Sequence, residues 1–184
     1  MNSEIVNHLK QKAFNLRKHV IEMVAMHGQG YVQQGLGASD LFSVLFFNEL
    51  TLDSDGSDHF ERDRFILSTA HNSALFHACL AERGLIPISA LKTYCEDGSV
   101  LEINVSERLG KYVEATCGSL GQGLSVAQGM ALSAIRKKSK SRFYVILGDG
   151  ELQEGQTWEA ILSAASWNIS NLCLYPVRKN AVSY

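Results

Sequence analysis

The chain reads as an α/β fold, a parallel sheet flanked by helices. Three observations carry that expectation. Short β-rich apolar runs occur at "RFIL" (64–67), "RFYVIL" (142–147) and "LCLY" (172–175), segments of helical period separate them, and the second run stops at Gly-Asp-Gly. Strands alternating with helices build a parallel sheet covered on both faces, and such sheets bind ligands at the carboxyl ends of their strands, beside helix N-termini. With 184 residues, 46% of them hydrophobic and 20% charged, the chain can bury a sizeable core, and residues 1–184 read as one domain.

Along the chain, Ile5, Leu9, Leu16, Val20 and Val24 recur at helical spacing and predict an amphipathic helix over about residues 4–26. "HGQGYVQQGLG" (27–37) is glycine-rich and reads as a loop, after which Ser39 offers an N-cap for the apolar helix in "ASDLFSVLFFNEL". "SDGSDHFERD" reads as polar loop. Its acidic spacing is not an EF-hand, because Gly56 at the sixth loop position puts Arg62, not Glu, at the closing one. "NSALFHACLAERG" predicts a helix stopped by Gly84, and "ISALKTYCEDG" a shorter one stopped by Gly98. Residues 99–114 lack a pattern and read as loop. "CGSLGQGLSVAQGMALSAIRKK" sets a glycine-rich loop ahead of a helix whose apolar face carries Leu124, Ala127, Ala131 and Ile135, and "EGQTWEAILSAASWN" predicts the last helix.

Composition excludes several classes of function. A net charge of −2 gives no electrostatic attraction for nucleic acid or an anionic membrane. The polar N-terminus is neither a signal peptide nor an anchor, and no run of about 18 apolar residues is available to span a bilayer. Cys79, Cys95, Cys117 and Cys173 lack metal-ligand spacing and read as buried free thiols. A reducing, cytoplasmic setting suits them.

The chemistry is carried by three stretches. At the end of a strand, Gly148 and Gly150 flank Asp149, and a helix follows. Glycines let a backbone turn sharply and approach a ligand, and the next helix offers N–H groups to an anion. An aspartate beside an anion repels it unless a cation lies between, so the pattern points to Mg²⁺ bridging Asp149 to a diphosphate. A tight turn with an aspartate helix cap is the competing reading. "GSLGQG" lacks the order of a dinucleotide fingerprint or a P-loop and could serve close helix packing alone. His71 in "STAHNS" falls just after a strand, at the same carboxyl edge, where a lone histidine can equally be structural.

Together, "DRFILSTAHNSAL", "EATCGSLGQGLSVAQGMAL" and "GDGELQEGQTWEA", in this order and spacing, resemble the N-terminal half of transketolases, and more closely the small subunit of split transketolases. The resemblance implies a domain binding thiamine diphosphate and Mg²⁺. Asp149 would coordinate Mg²⁺ with Asn180 as the second ligand. Gly148 and Gly150 would set the backbone against the diphosphate, and Gly118, Ser119 and Leu120 would lie near the aminopyrimidine and diphosphate. His71 would line the thiazolium and substrate cleft, and Glu154 would join a carboxylate relay at a subunit interface. The activity implied is transfer of a two-carbon ketol unit between sugar phosphates. It needs a separate C-terminal, pyrimidine-binding transketolase subunit, in a homo- or hetero-oligomer.

The chain departs from the family pattern in three places. Tyr31 in "GYVQ" stands where the family has a substrate-contacting histidine, and Asn104 stands where it has a second. Both would alter contacts to the donor sugar. The end of the chain, "NLCLYPVRKNAVSY", lacks an expected aspartate, places Pro176 where it would interrupt a strand, and makes Asn180 a ligand only with a one-residue shift of register. The resemblance implies a domain truncated at its C-terminus. The alternative function is a non-catalytic remnant that at most binds a partner subunit.

Overall fold

The structure is a computed structural model that describes residues 3–52 and 61–177. These group into two compact units: one from Met1–Leu50 and His71–Asn104, the other from Thr51–Ala70 and Val105–Tyr184.

The first unit is helical. Helix α1 (Ser3–His27) buries Leu9, Ala13, Leu16, Val20 and Met23, a single face at three- and four-residue steps. Ile5, assigned by periodicity to that face, is instead exposed. Helix α2 (Val32–Val44) starts well before the expected Ser39 cap, and Tyr31 is its N-cap. Ser39 lies inside the helix and donates to the Gly35 carbonyl at 2.7 Å. The glycines that read as loop residues, Gly35 and Gly37, are therefore helical. Gly35 is where α2 meets α1: a Cβ there would lie 2.8 Å from Val20 Cγ1. After a π-helical turn (Leu45–Glu49), α3 (Ser73–Glu82) is buried along Ser73 to Ala81, as expected of a helix without a polar face. Within α3, His77 Nε2 lies 3.1 Å from the Glu102 carbonyl, and burial pushes the ring's pKa down to about 4. Glu82 ties α3 to α1 through Lys12 at 2.8 Å and His19 at 3.0 Å. "ISALKT" forms a 3-10 helix (Ile88–Thr93) rather than an α-helix, and it ends at an extended Tyr94, before Gly98.

The second unit holds the sheet. Strands β1 (Arg64–Leu67), β2 (Phe143–Gly148) and β3 (Leu172–Val177) are parallel in the order β1-β2-β3, with Arg64 opposite Phe143 and Phe143 opposite Leu172. Asp63 aligns the start of the sheet by accepting from the Thr51 and Arg142 backbone N–H groups, each at 2.9 Å. Helices α4 (Gln122–Arg136) and α5 (Gly155–Ser166) contribute Leu124, Ala127, Ala131 and Ala160 to a core shared with Ile66, Val145 and Leu147. Small alanines let α4 approach the strands closely, whereas Ile135, expected on that face, is 39% exposed.

Pro176 does not interrupt β3. The strand runs through it, opposite Leu147. Among the described residues β3 is an edge strand, where a missing N–H removes no ladder bond on the open side. Cys79 and Cys117 are buried free thiols as expected, but Cys95 and Cys173 are only partly buried. No helix among the described residues is long and apolar enough to cross a membrane.

Candidate functional site

At the end of β2 the chain enters a 3-10 turn, Asp149–Gln153, and then α5. The two flanking glycines are not there for a left-handed turn. Gly148 is extended (φ −80°, ψ 153°), and neither it nor Gly150 has a positive φ. Gly150 differs in another way: it is exposed, and a Cβ on it would meet nothing within 4 Å. Its N–H donates to Asp149 Oδ1 at 3.0 Å, and Asp149 is half-buried. A carboxylate beside backbone with open ground in front of it suits a cation-bridged anion, because Mg²⁺ is held by one or two carboxylates together with phosphate oxygens and water. Among the described residues no group of three or more His, Cys, Asp or Glu is placed to hold a metal by itself. A cation here would therefore draw ligands from the anion. Asn180, the expected second ligand, lies outside the described residues.

The second glycine-rich loop precedes α4. Gly118, Ser119 and Leu120 are exposed, and the chain then closes down on buried Gly121 and Gly123. Gly121 is the N-cap of α4 in the left-handed region (φ 83°, ψ −8°), where side chains are disfavoured. A Cβ on Gly123 would lie 2.6 Å from both Cβ and Oγ of Ser68, the residue after β1. The residue before the loop, Cys117, has its thiol pushed up to about 11 by burial, then by the Glu151 and Glu107 charges. The shift favours the protonated thiol at neutral pH.

Glu151, which no motif singles out in the sequence, joins these loops. It is fully buried. Its Oε1 accepts from Ser68 Oγ at 2.5 Å and from the Gly121 N–H at 2.9 Å, while Oε2 accepts from the Gly148 N–H at 2.8 Å. The bond to Gly148 is the reciprocal half of a capping box, with Glu three residues after the N-cap. That spacing is visible in "GDGE", but glycine has no side chain for the other half, so the usual signature is missing.

His71 sits in a short 3-10 turn (Ala70–Asn72) after β1 and is half-buried. Tyr31 packs against it edge-on, with ring centroids 4.5 Å apart and planes at 73°. The neighbouring Asn72 is buried and its Oδ1 has no hydrogen-bond partner among the described residues. Asn104 is exposed, as is Glu154, the N-cap of α5. Of the expected site residues, Gly118, Ser119, Leu120, Gly148, Asp149, Gly150 and Glu154 share the sheet-bearing unit, and His71 with Tyr31 belongs to the helical one.

Comparison with known proteins identifies the family. Residues 9–183 match the family described as transketolase, thiamine diphosphate binding domain. A transketolase family protein of Sinorhizobium fredii is 41% identical over 89% of this chain and 59% of its own. One of the subunits of the apulose-4-phosphate transketolase of Actinobacillus succinogenes is 36% identical over 90% of this chain and 60% of its own. Among solved structures, transketolase from Campylobacter jejuni superposes with a TM-score of 0.85 at 30% identity, covering 96% of this chain and 28% of that one. The chain thus spans about three-fifths of the length of the curated relatives it matches first.

Proposed function

This chain belongs to the transketolase family through its thiamine diphosphate binding domain, and from that premise we propose that it is the diphosphate-binding subunit of a two-part transketolase. The observation that carries the proposal is the turn after β2, where Asp149 stands beside exposed backbone at Gly150 with nothing occupying the space a side chain would fill. Asp149 holds Mg²⁺, together with Asn180, and the Gly148–Gly150 backbone lies against the diphosphate. Gly118, Ser119 and Leu120 line the cofactor near its aminopyrimidine and diphosphate. When bound, thiamine diphosphate supplies the electron sink for moving a two-carbon ketol unit between sugar phosphates. The protein supplies binding, orientation and charge.

His71 is assigned to the reacting end of the cofactor and the sugar. Its ring is held by Tyr31, which takes the place of an imidazole and presents a bulkier phenol to the donor. Exposed Glu154 is available to a second subunit for exchanging a proton across the interface. A separate pyrimidine-binding subunit completes the site, in line with a relative that is itself named as a subunit.

Calorimetric titration of thiamine diphosphate, with and without Mg²⁺, tests this reading. Binding that requires Mg²⁺ and disappears in Asp149→Ala is the expected result. Metal-independent binding would overturn the assignment of Asp149 to Mg²⁺, and no binding even with the partner subunit present would favour the non-catalytic remnant. Addition of the partner subunit, cofactor and Mg²⁺ is expected to give ketol transfer between sugar phosphates.

A further inference from the structure

Glu151 is completely buried, so it cannot touch a ligand in the cleft. Yet its two oxygens collect donors from all three segments that end at this edge of the sheet: Ser68 after β1, Gly121 at the start of α4, and Gly148 at the end of β2. Two of those donors are backbone N–H groups, which can only donate, so a carboxylate matches them and an amide does not. The same residue is fixed from behind, since the Glu151 carbonyl accepts from Thr157 Oγ1 at 2.7 Å. Around it, the space that Gly121 and Gly123 leave is filled by Thr157, Gln156 and Ser68. The segments Glu151 joins are 83, 30 and 3 residues away along the chain, and no side chain of the exposed stretch 118–120 is needed to hold them.

We propose that Glu151 is a positioning residue: its carboxylate locks the 118–123 loop and the 148–150 turn to each other and to the end of β1, and so sets cofactor affinity without contacting the cofactor. The link to affinity rests on the reading of this edge as the thiamine diphosphate site; the locking itself does not.

Glu151→Gln separates the two. Whichever oxygen becomes the amide nitrogen, an N–H then faces the N–H of Gly121 or of Gly148, so one of those bonds is lost. Backbone amide exchange followed by NMR is expected to show the Gly121 or Gly148 amide opening about tenfold faster, the size of effect of one lost bond to a charged acceptor. The amides of Tyr144, Val145 and Ile146 in β2 should keep their wild-type rates. Titration with thiamine diphosphate and Mg²⁺ should show affinity falling by about the same factor. Unchanged exchange at both glycines, or equal acceleration across β2, would overturn the assignment, because a carboxyl that merely stabilises the fold loosens everything together. If Glu151→Gln does not fold, Ser68→Ala removes the tie to β1 and one of the two donors that hold Oε1, the oxygen that Gly121 shares, so the Gly121 bond loses its anchor. Faster exchange at Gly121 than in β2 then supports the lock, and unchanged exchange overturns it. Wild-type protein that fails to bind the cofactor, with the exchange pattern as stated, would refute the cofactor reading and leave the lock standing.

Discussion

The two glycine-rich stretches at the carboxyl edge of the sheet use glycine for opposite reasons. In the 118–123 loop the protein itself demands it. Gly121 has φ 83°, and a side chain on Gly123 would collide with Ser68, backbone included. In the 148–150 turn it does not: φ is ordinary at both glycines, and the position of a Cβ on Gly150 is empty. Gly37, Gly129 and Gly155 are open in the same way, so it is the carboxylate of Asp149 beside Gly150 that supports the proposed ligand at this turn. Both stretches look alike in sequence, and the difference separates glycines the fold requires from one it does not.

Alanine substitutions turn that contrast into measurements. The largest effect is expected at Gly123→Ala, where a Cβ 2.8 Å from the Ser68 Cα must push α4 off β1. Thermal or urea unfolding should show a loss of about 3 kcal/mol, at the upper end of overpacking effects. Gly121→Ala comes next. The left-handed backbone and contacts of 2.9 Å to Gln156 and Thr157 side chains both oppose it, but Gln156 is flexible, so about 2 kcal/mol is expected. Gly150→Ala should leave stability unchanged or raise it by up to about 1 kcal/mol, since the native conformation is open to alanine. In the same variant, Mg²⁺-dependent thiamine diphosphate binding should weaken measurably. If Gly150→Ala destabilises the fold as much as Gly121→Ala, or if it binds cofactor normally, the contrast between the two stretches is wrong.

Much of the architecture can be read from the chain. The three strands fall on "RFIL", "RFYVIL" and "LCLY" within one or two residues, because apolar, β-branched and aromatic runs of this length are local signals. Gly84, with φ 72°, follows the end of α3 at the expected place. The start of α2 is not legible, because glycines that normally mark a loop are helical here. Gly35 is selected by the approach of Val20, fifteen residues earlier in a different helix. Pro176 misleads for a similar reason: whether a proline is tolerated depends on which strand lies at the edge, and that is a property of the sheet. In the candidate site, Asp149, Gly150 and the 118–120 stretch can be picked out by motif, while Ser68 and Glu151 cannot.

Local pattern is enough to order the strands and helices, to put both glycine-rich stretches ahead of helices at one edge of the sheet, and to mark a carboxylate at the turn after β2. Each of these lies within a few residues, and the periods of strand and helix write them directly into the chain. Which glycines the fold cannot lose, and that Glu151 joins Ser68, Gly121 and Gly148, emerge with packing. Two of those partners stand 83 and 30 residues from Glu151 in sequence. A parallel sheet brings its strand ends together only through long crossovers, so the convergence exists in space and in no single stretch of the chain.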